Sequence, residues 1–383
     1  MACGDDGSGG DSGGGASAVD PFDPAVLADY HLTIAPADWD AMVADPHDNT
    51  WRHATLVWQG ETYADIAVRP SGERSRIPGN PKPSLRFEFD EFVPDREFHG
   101  ISTLKLDAVI HDPSMMRARL QYPAYPAAGI PAPRYVHGRL LVNGVLKGLY
   151  GIEERLGKEF LHAHFGRPHG QMWSFNEVTD DFEWQGDDLW RYVPNQWRAE
   201  FAGDPDGAAD IRRLHELLHH DPAGLAAVLD VDAVIRFMAV EVLTGEGDGY
   251  LSGPEADDAE NMTLYRPPST GLFLFIPWDR DQGFYRQEKE LTFGFDRQHL
   301  TRRLILENPA HLERYKQVLR DLLAGFWATP EVHARIDAVF AQIQAAALED
   351  PLKPYSNDEI LEWRDRIKQY VLERNAALQA QLQ

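Results

Sequence analysis

Apolar and polar residues alternate along much of the first 155 positions, which is typical of β-strands with one buried face. The stretch ATLVWQGETYADIAVRP holds two such strands, joined by a turn at Gln59-Gly60-Glu61. In the following strand, SLRFEFDEF, the apolar side chains share one face: Leu85, Phe87 and Phe89. The opposite face carries the polar side chains Ser84, Arg86 and Glu88.

The turn and helix signals divide the chain further. Asn143-Gly144 predicts a two-residue turn inside the hairpin YVHGRLLVNGVLKGLYGIEE. One helix is expected to open near Pro36, and another is expected to run from Asp112 to about residue 128 and to stop at Gly129.

The second half has a different pattern. Residues 205–247 and 302–383 have the periodicity of long helices, with one strand pair between them in NMTLYRPPSTGLFLFIPWD. These patterns predict an α+β protein of two lobes: a β-rich N-lobe over residues 21–155 and a mainly helical C-lobe over 156–383 that contains the hairpin.

Composition and charge exclude several classes of protein. The chain has 383 residues and a net charge of −24, so phosphate backbones and anionic lipid surfaces repel it, and we expect no nucleic-acid partner. No apolar run approaches the roughly 20 residues that span a bilayer. The single cysteine, Cys3, excludes an intrachain disulfide and a cysteine-based zinc site.

Residues 1–20 are rich in Gly, Ser and Asp, which is typical of a flexible tether. A lone Cys directly before such a tether resembles the start of a mature bacterial lipoprotein, in which the cysteine carries the lipid. We therefore expect an extracytoplasmic, lipid-anchored protein, whose only membrane contact is the lipid on Cys3. The alternative is a disordered N-terminus with an incidental cysteine.

Acidic and amide residues surround the strand pair of the C-lobe. Asp248 follows a helix that is expected to end at Gly245, Asn261 opens the first strand, and Asp279 and Asp281 follow the second. These side chains can converge, and their oxygen atoms suit Mg²⁺ together with substrate phosphates. The order also matches phosphoryl transfer, in which one Asp orients the acceptor while an Asn and a later Asp hold metal. The alternative is that these residues only mark turns and strand ends.

The chain resembles the CotH family of spore-coat-type atypical protein kinases from about residue 30 to residue 320. The resemblance lies in the order and co-occurrence of short segments: VRPSGERS (68–75), KPSLRFEFDEF (82–92), FHGISTLKLD (98–107), DPSMMRARLQYPAYPAAGIPAPR (112–134), LVNGVLKGLYGIEE (141–154), GDGY (247–250), NMTLY (261–265) and IPWDRDQGF (276–284). It implies an atypical protein-kinase-like fold of two lobes. It also implies ATP and Mg²⁺ (or Mn²⁺) as cofactors, and transfer of the γ-phosphoryl group to Ser or Thr hydroxyls of a protein.

The resemblance also implies roles for individual residues. Asp248 would be the catalytic residue, and Asn261 and Asp279 would be metal ligands, with Asp281 as a further acidic group near the metal. The loop that covers the phosphates would contain Arg69, Gly72 and Ser75. Either Lys82 or Arg86 would pair with the phosphates, and Glu154 would touch adenine or ribose.

Some positions depart from the family pattern. Twelve residues separate Asp248 from Asn261, where ordinary kinases have four, so Asp257 or Asp258 could replace Asp248. Glu73 and Arg74 stand where small polar residues are usual. The helix that could supply a cation-pairing Glu instead has Ala at position 118.

These departures leave two alternatives to a kinase: a pseudokinase-like binding or structural protein of the cell surface, and a relative that transfers AMP. For the kinase we expect a monomer and a protein substrate, which the acidic charge of the chain suggests is basic.

Overall fold

The computed structural model describes residues 20–72, 75–166, 170–175, 182–200, 207–251, 261–286 and 288–383. Several predictions therefore concern positions outside the described residues. They are the lipid on Cys3, the tether over residues 1–19, and the roles considered for Glu73, Arg74, Asp257 and Asp258.

Seven strands of the N-terminal part close into a barrel with the order β1-β2-β3-β4-β5-β7-β6. All neighbours are antiparallel except β1 and β6, which pair in parallel and close the sheet. The strands are β1 (Ala28–Ile34), β2 (Arg52–Trp58), β3 (Glu61–Pro70), β4 (Leu85–Glu88), β5 (Thr103–Asp107), β6 (Tyr135–Val142) and β7 (Val145–Glu154). Both predicted turns are confirmed, because Gln59, Gly60, Asn143 and Gly144 have the positive φ of tight hairpins.

The inside of the closed sheet is filled by one face of each strand. Leu85, Phe87 and Phe89 are fully buried in this core, as their alternation predicts. Leu104 and Leu106 of β5 lie in the same core. The residues between them, Thr103, Lys105 and Asp107, consequently face the other side of the sheet.

The C-terminal part is mainly helical and carries a second sheet of four strands in the order β11-β10-β8-β9. Its strands are β8 (Gln171–Phe175), β9 (Trp197–Ala199), β10 (Met262–Arg266) and β11 (Leu274–Pro277). The predicted pair β10 and β11 is confirmed, whereas β8 and β9 were not expected. Their short runs lie in a Trp-rich segment without a clear alternation.

The longer helices beyond the closed sheet are α4 (Lys158–Phe165), α5 (Gly207–His220), α6 (Val231–Thr244), α8 (Pro309–Ala324), α9 (Thr329–Glu349) and α10 (Asn357–Gln381). A single turn, α7 (His299–Thr301), precedes α8, and α1 (Pro36–Ala44) lies in the N-terminal part. The predicted start of α1 at Pro36 is confirmed. The α+β class, with a β-rich N-terminal part and a helical C-terminal part, is also confirmed.

The expected helix from Asp112 to residue 128 is instead two short helices, α2 (Arg117–Gln121) and α3 (Ala124–Ala127). The Asp112 carboxylate accepts hydrogen bonds from the backbone N–H groups of Ser114 and Arg117, so the first residues form a turn. Pro123 then interrupts the helix, since proline has no N–H to donate. The predicted stop at Gly129 is confirmed by its φ of 75°.

Helix α6 ends at Gly245, as predicted. Gly245 has a left-handed φ of 61°, and a side chain at this position would collide with the Tyr370 hydroxyl. The chain therefore leaves α6 in a sharp turn that leads directly to Asp248. In the part of the chain that the structure describes, no helix is both long and apolar enough to cross a membrane.

Candidate functional site

A row of charged side chains crosses the outer face of the closed sheet. Strand pairing places Arg69 opposite Arg86, Arg86 opposite Lys105, and Lys105 opposite Glu153. Directly opposite residues in antiparallel strands have neighbouring side chains on the same face. The register therefore gathers three cations and one carboxylate from four strands that are far apart in sequence.

Lys105 is the centre of this row. Its ammonium lies 2.7 Å from the carboxylate of Glu153 and 3.2 Å from Oδ1 of Asp279. Burial disfavours the charged ammonium, but the carboxylates of Asp279 and Glu153 outweigh burial and raise the pKa of Lys105 well above its usual range. Lys105 is therefore a fixed cation that links the closed sheet to the end of β11.

A cavity of about 390 Å³ opens between the two sheets beside Lys105. Its polar wall consists of Ser71, Gly72, Arg86, Thr103, Lys105, Arg155, Ser174, Arg198, Glu200, Asn261, Thr263 and Asp279. Its apolar wall consists of Leu156, Met172, Phe175, Met262 and Trp278. Four lining cations against two lining carboxylates, in a chain of net charge −24, favour an anionic ligand that also has an apolar part.

Asn261 and Asp279 meet at one end of the β10–β11 hairpin. The pairing of Met262 with Pro277 places Asn261 just before one strand and Asp279 just after the other. Both residues have positive φ, of 55° and 50°. Because the Trp278 N–H donates to the Asn261 carbonyl at 3.1 Å, this end of the hairpin is held together.

Asp248 lies beside Asn261. The Asn261 amide nitrogen donates to the Asp248 carbonyl at 2.6 Å and to its carboxylate Oδ2 at 3.1 Å. Since the amide nitrogen is occupied with Asp248, the side-chain oxygen of Asn261 is the atom suited to a metal. The structure thus brings together Asp248, Asn261 and Asp279, as the sequence order predicts.

Further carboxylates surround Asp279. Burial, and then the charges of Asp279 and Asp107, raise the pKa of Asp281 well above its usual range. Burial also raises the pKa of Asp107, against the pull of Lys105. Acids in such surroundings favour a proton or an additional cation.

The donor set fits Mg²⁺. Within the described ranges, no three His, Cys, Asp or Glu side chains converge to enclose a metal ion by themselves. Mg²⁺ commonly takes one or two protein oxygen ligands and completes its shell with water and phosphates. Asn261 and Asp279 would hold the ion in this way, with Asp281 as the nearby acid.

A buried cluster of charged side chains holds the backbone of Asn261 and Asp248 in place. The Arg280 guanidinium pairs with Glu241 of α6 and donates to the Asn261 carbonyl. The Glu246 carboxylate accepts the Asp248 N–H at 3.1 Å, and burial raises the pKa of Glu246 to about 7. A side chain on Gly249 would come within 2.8 Å of both Arg280 and Glu246, so only glycine fits beside the cluster.

The predicted phosphate loop borders the cavity through part of its length. Gly72 lines the cavity, has a φ of 86°, and could not carry a side chain without colliding with the Ser75 hydroxyl. Ser75 itself is outside the lining and donates to the Ser71 carbonyl at 3.4 Å. Arg69 lies one strand further away, with its guanidinium 4.3 Å from the Trp51 ring centroid.

The structure does not bring Lys82 to the cavity. Its ammonium is fully buried 2.6 Å from the Asp350 carboxylate, which also accepts the Leu149 N–H at 2.9 Å. Of the two cations considered for phosphate pairing, only Arg86 lines the cavity, and its guanidinium is paired with Glu88. Lys82 instead fixes the end of α9 to the closed sheet.

Glu154 does not line the cavity either. Arg134 holds its carboxylate, with the guanidinium donating at 2.7 and 3.0 Å. Its neighbour Glu153 projects to the opposite face and pairs with Lys105. Glu153, a residue of β7, therefore pairs with the cation Lys105. This ion pair does not need a Glu at position 118 of α2, where the chain has Ala.

Lys105 and Arg155 were not predicted as site residues from the sequence. The signal for Lys105 was present, because Thr103, Lys105 and Asp107 alternate with buried leucines in FHGISTLKLD. The position of Arg155 depends on how β7 leads into α4, and it has no comparable local signal.

Taken together, the cavity has a lining suited to an anion, and the side chains of Asn261 and Asp279 beside it are suited to a metal ion. A sequence profile of the CotH kinase protein family matches residues 68–378. The chain therefore belongs to the CotH kinase family, as the order of its motifs predicted.

Two relatives come from Bacillus subtilis (strain 168). The chain is 25% identical to the inner spore coat protein H over 371 residues, which cover 92% of this chain and 97% of that protein. It is also 25% identical to an inner spore coat protein H-like protein over 291 residues, covering 75% of this chain and 83% of that protein.

A third relative is the invasin CotH3 of Rhizopus delemar, which is 27% identical over 195 residues. This match covers 47% of the present chain and 31% of the invasin.

Proposed function

We propose that this chain is an ATP- and Mg²⁺-dependent protein kinase that transfers the γ-phosphoryl group to Ser or Thr hydroxyls of a protein. The observation that carries the proposal is the double ion pair of Lys105 with Glu153 and Asp279 in a cation-lined cavity. Phosphoryl transfer requires a fixed cation for the phosphates beside a metal-binding carboxylate. Membership of the CotH kinase family supports the same reaction and a kinase-like, two-lobed arrangement.

Each residue has a part in the proposed reaction. Lys105 neutralises phosphate oxygens, while Asn261 and Asp279 would hold Mg²⁺, which when bound supplies Lewis-acid stabilisation of the phosphates. Asp248 orients the acceptor hydroxyl and accepts its proton. The Glu246 carboxylate and the Asn261 amide hold Asp248 in place for this step.

The apolar lining of the cavity is the proposed binding surface for the adenine ring of ATP. Leu156, Met172, Phe175 and Met262 form a surface on which a flat ring can pack. The predicted contact of Glu154 with adenine or ribose has no support from its position, because Arg134 holds that carboxylate.

Labelled nucleotide tests the reaction. The purified chain is incubated with Mg²⁺, a basic protein acceptor, and ATP labelled at either the γ or the α phosphate. Transfer of γ-label alone is expected, whereas transfer of α-label would show AMP transfer. Absence of label from both positions, with no binding of ATP, would leave the binding or structural protein as the function.

The matched control for this assay is Asp296→Ala, which removes an exposed aspartate from a turn. Asp279→Ala should abolish transfer, whereas Asp296→Ala should keep it. Equal activity of these two variants would contradict the assignment of Asp279.

We also propose an extracytoplasmic location with a lipid on Cys3. Two of the relatives are a spore coat protein and an invasin, which supports a surface location. Fatty-acid labelling of cells that express the protein, compared with a Cys3→Ser variant, tests the anchor. Loss of label in the variant is expected, and no label in either protein would refute the anchor.

A further inference from the structure

Arg155 is a cation of the cavity that has no hydrogen-bond or ion-pair partner among the described residues. It directly follows Glu154, the last residue of β7, and its side chain lines the cavity. Throughout the described residues, its guanidinium forms no hydrogen bond or ion pair. Its donors are therefore available to a ligand that enters the cavity.

The other lining cations differ in this respect. Lys105 is shared by two carboxylates, Arg86 is paired with Glu88, and Arg198 has Glu200 at 3.5 Å. Their charges are therefore compensated before any ligand arrives. Among the four lining cations, Arg155 alone forms no ion pair in the described part of the chain, and only the more distant charges of Glu88 and Glu200 favour its positive charge.

The surroundings of Arg155 disfavour its charge in the free protein. Burial first, and then the nearby guanidinium of Arg86, lower the pKa of Arg155. Arg86 also has an unused donor, because its Nε is buried without a hydrogen-bond partner in the described part of the chain. An anion bound to both guanidinium groups would remove their repulsion and satisfy both sets of donors.

We propose that Arg155 and Arg86 together bind a phosphate group of the nucleotide. The inference rests on the proposed function, because it concerns the same cavity and the same nucleotide. It adds a second anion subsite to the one formed by Lys105 and the metal-binding residues.

The spacing of the two subsites favours a polyphosphate over a single carboxylate or sulfate. Arg155 lies two residues beyond Glu153, the partner of Lys105, which is about 7 Å along the strand direction. A ligand that engages both subsites must therefore carry negative charge over a comparable length. The chain of phosphates in a nucleoside triphosphate does so, and the planar fork of arginine matches phosphate oxygens in a bidentate manner.

Binding measurements with Arg155→Met test the proposal. The dissociation constants of ATP and of adenosine are measured in Mg²⁺ by calorimetry, for this variant and for the wild type. Loss of a charge-assisted contact should weaken ATP about tenfold to a hundredfold and leave adenosine unchanged. Unchanged ATP affinity, or an equal loss for adenosine, would overturn the proposal.

Thermal unfolding without ligand separates a binding role from a structural one. Because Arg155 forms no ion pair with the residues that the structure describes, Arg155→Met should keep or raise the melting temperature. Arg134→Met is the matched control, since it leaves the buried carboxylate of Glu154 unpaired and should lower the melting temperature. A loss of stability in Arg155→Met as large as that in the control would mark Arg155 as a structural residue and overturn the proposal.

Tripolyphosphate separates this inference from the proposed function. If the wild type transfers no phosphoryl group but binds tripolyphosphate, and Arg155→Met weakens that binding, the subsite stands and the kinase proposal fails. If transfer occurs and Arg155→Met binds ATP as the wild type does, only the subsite fails. A wild-type protein that binds neither ATP nor tripolyphosphate would overturn both.

Discussion

The ammonium of Lys105 lies 3.2 Å from Asp279, and this ion pair joins two residues that are 174 positions apart in the chain. Lys105 belongs to the closed sheet, and Asp279 to the end of the hairpin in the helical part. A change in the packing of either part would therefore alter the positions of both the Lys105 ammonium and the Asp279 carboxylate. The site exists only when the two parts are packed together.

Replacement of Lys105 should remove the phosphate-neutralising cation. We expect Lys105→Met to lower kcat/KM by roughly a hundredfold to a thousandfold, the usual effect of losing one charge-stabilising group. Steady-state phosphorylation assays measure this loss. Lys147→Met is the control. Lys147 belongs to the β6–β7 hairpin, its ammonium lies over the ring of Trp39 in α1, and it does not line the cavity.

The same variant leaves Glu153 buried without its cation, so its stability must be measured separately. Adding Glu153→Gln to Lys105→Met should restore much of the stability and none of the activity, since the second change removes the uncompensated charge. Recovery of activity in the double variant would contradict a direct role for Lys105.

The affinity for a divalent metal ion should depend on Asp279 at the end of the β10–β11 hairpin. Asp279→Ala is expected to weaken Mn²⁺ binding in the presence of ATP by at least about tenfold, because one of two protein ligands is lost. Electron paramagnetic resonance titration of Mn²⁺ measures free ion directly and does not depend on activity. Asp296→Ala should bind Mn²⁺ as the wild type does, and equal affinity in both variants would rule out Asp279 as a ligand.

The free energy of unfolding should decrease as pH rises, because Glu246 loses its proton. Burial raises the pKa of Glu246 from 4.5 to about 7 in the folded protein, against the pull of Arg280 and together with the charge of Glu241. The folded state therefore binds more protons than the unfolded state between these values. The resulting contribution to the free energy of unfolding is complete below about pH 4.5 and is lost as pH rises through about 7.

Glu246→Gln removes this titration and tests it. The free energy of unfolding, measured with urea at several pH values between 5 and 8, should depend less steeply on pH in the variant, by at most about 1.4 kcal/mol per pH unit. Glu362→Gln, on an exposed part of α10, is the matched control. Equal slopes in the wild type and Glu246→Gln would contradict the prediction.

The buried pair of Lys82 and Asp350 should contribute strongly to stability. Lys82→Met is expected to lower the free energy of unfolding by about 3 to 5 kcal/mol, because it leaves a buried carboxylate without its cation. Adding Asp350→Asn should recover part of this loss, since the amide oxygen can still accept the Leu149 N–H. Denaturant titrations measure both variants, and additive losses would show that the two residues do not act as a pair.

Local features of the structure could be predicted from the sequence wherever neighbouring residues determine them. Asn143-Gly144 specifies its hairpin turn, Gly245 ends α6, and the alternation in β4 separates its buried face from its polar face. The juxtaposition of Asp248 with Asn261 was also expected from sequence order, because Asp248 closely follows the end of α6 and Asn261 directly precedes β10.

Pairings between distant segments could not be predicted. Lys82 lies next to β4 and seemed as suitable a phosphate ligand as Arg86, but its partner Asp350 comes from the end of α9. Lys105 became the central cation only through the register that places it opposite Glu153. Likewise, Glu153 and Glu154 are equivalent in sequence, and only the pleat of β7 decides which one faces Lys105.

The pairing of Lys82 with Asp350 has a consequence for biosynthesis. The ribosome makes Asp350 268 residues after Lys82, so the strands of the closed sheet are available long before the carboxylate that neutralises their buried ammonium. Until α9 arrives, the sheet must leave Lys82 in water or hold it uncompensated. We therefore expect the nascent N-terminal part to remain open and to close only when the C-terminal helices have been synthesised.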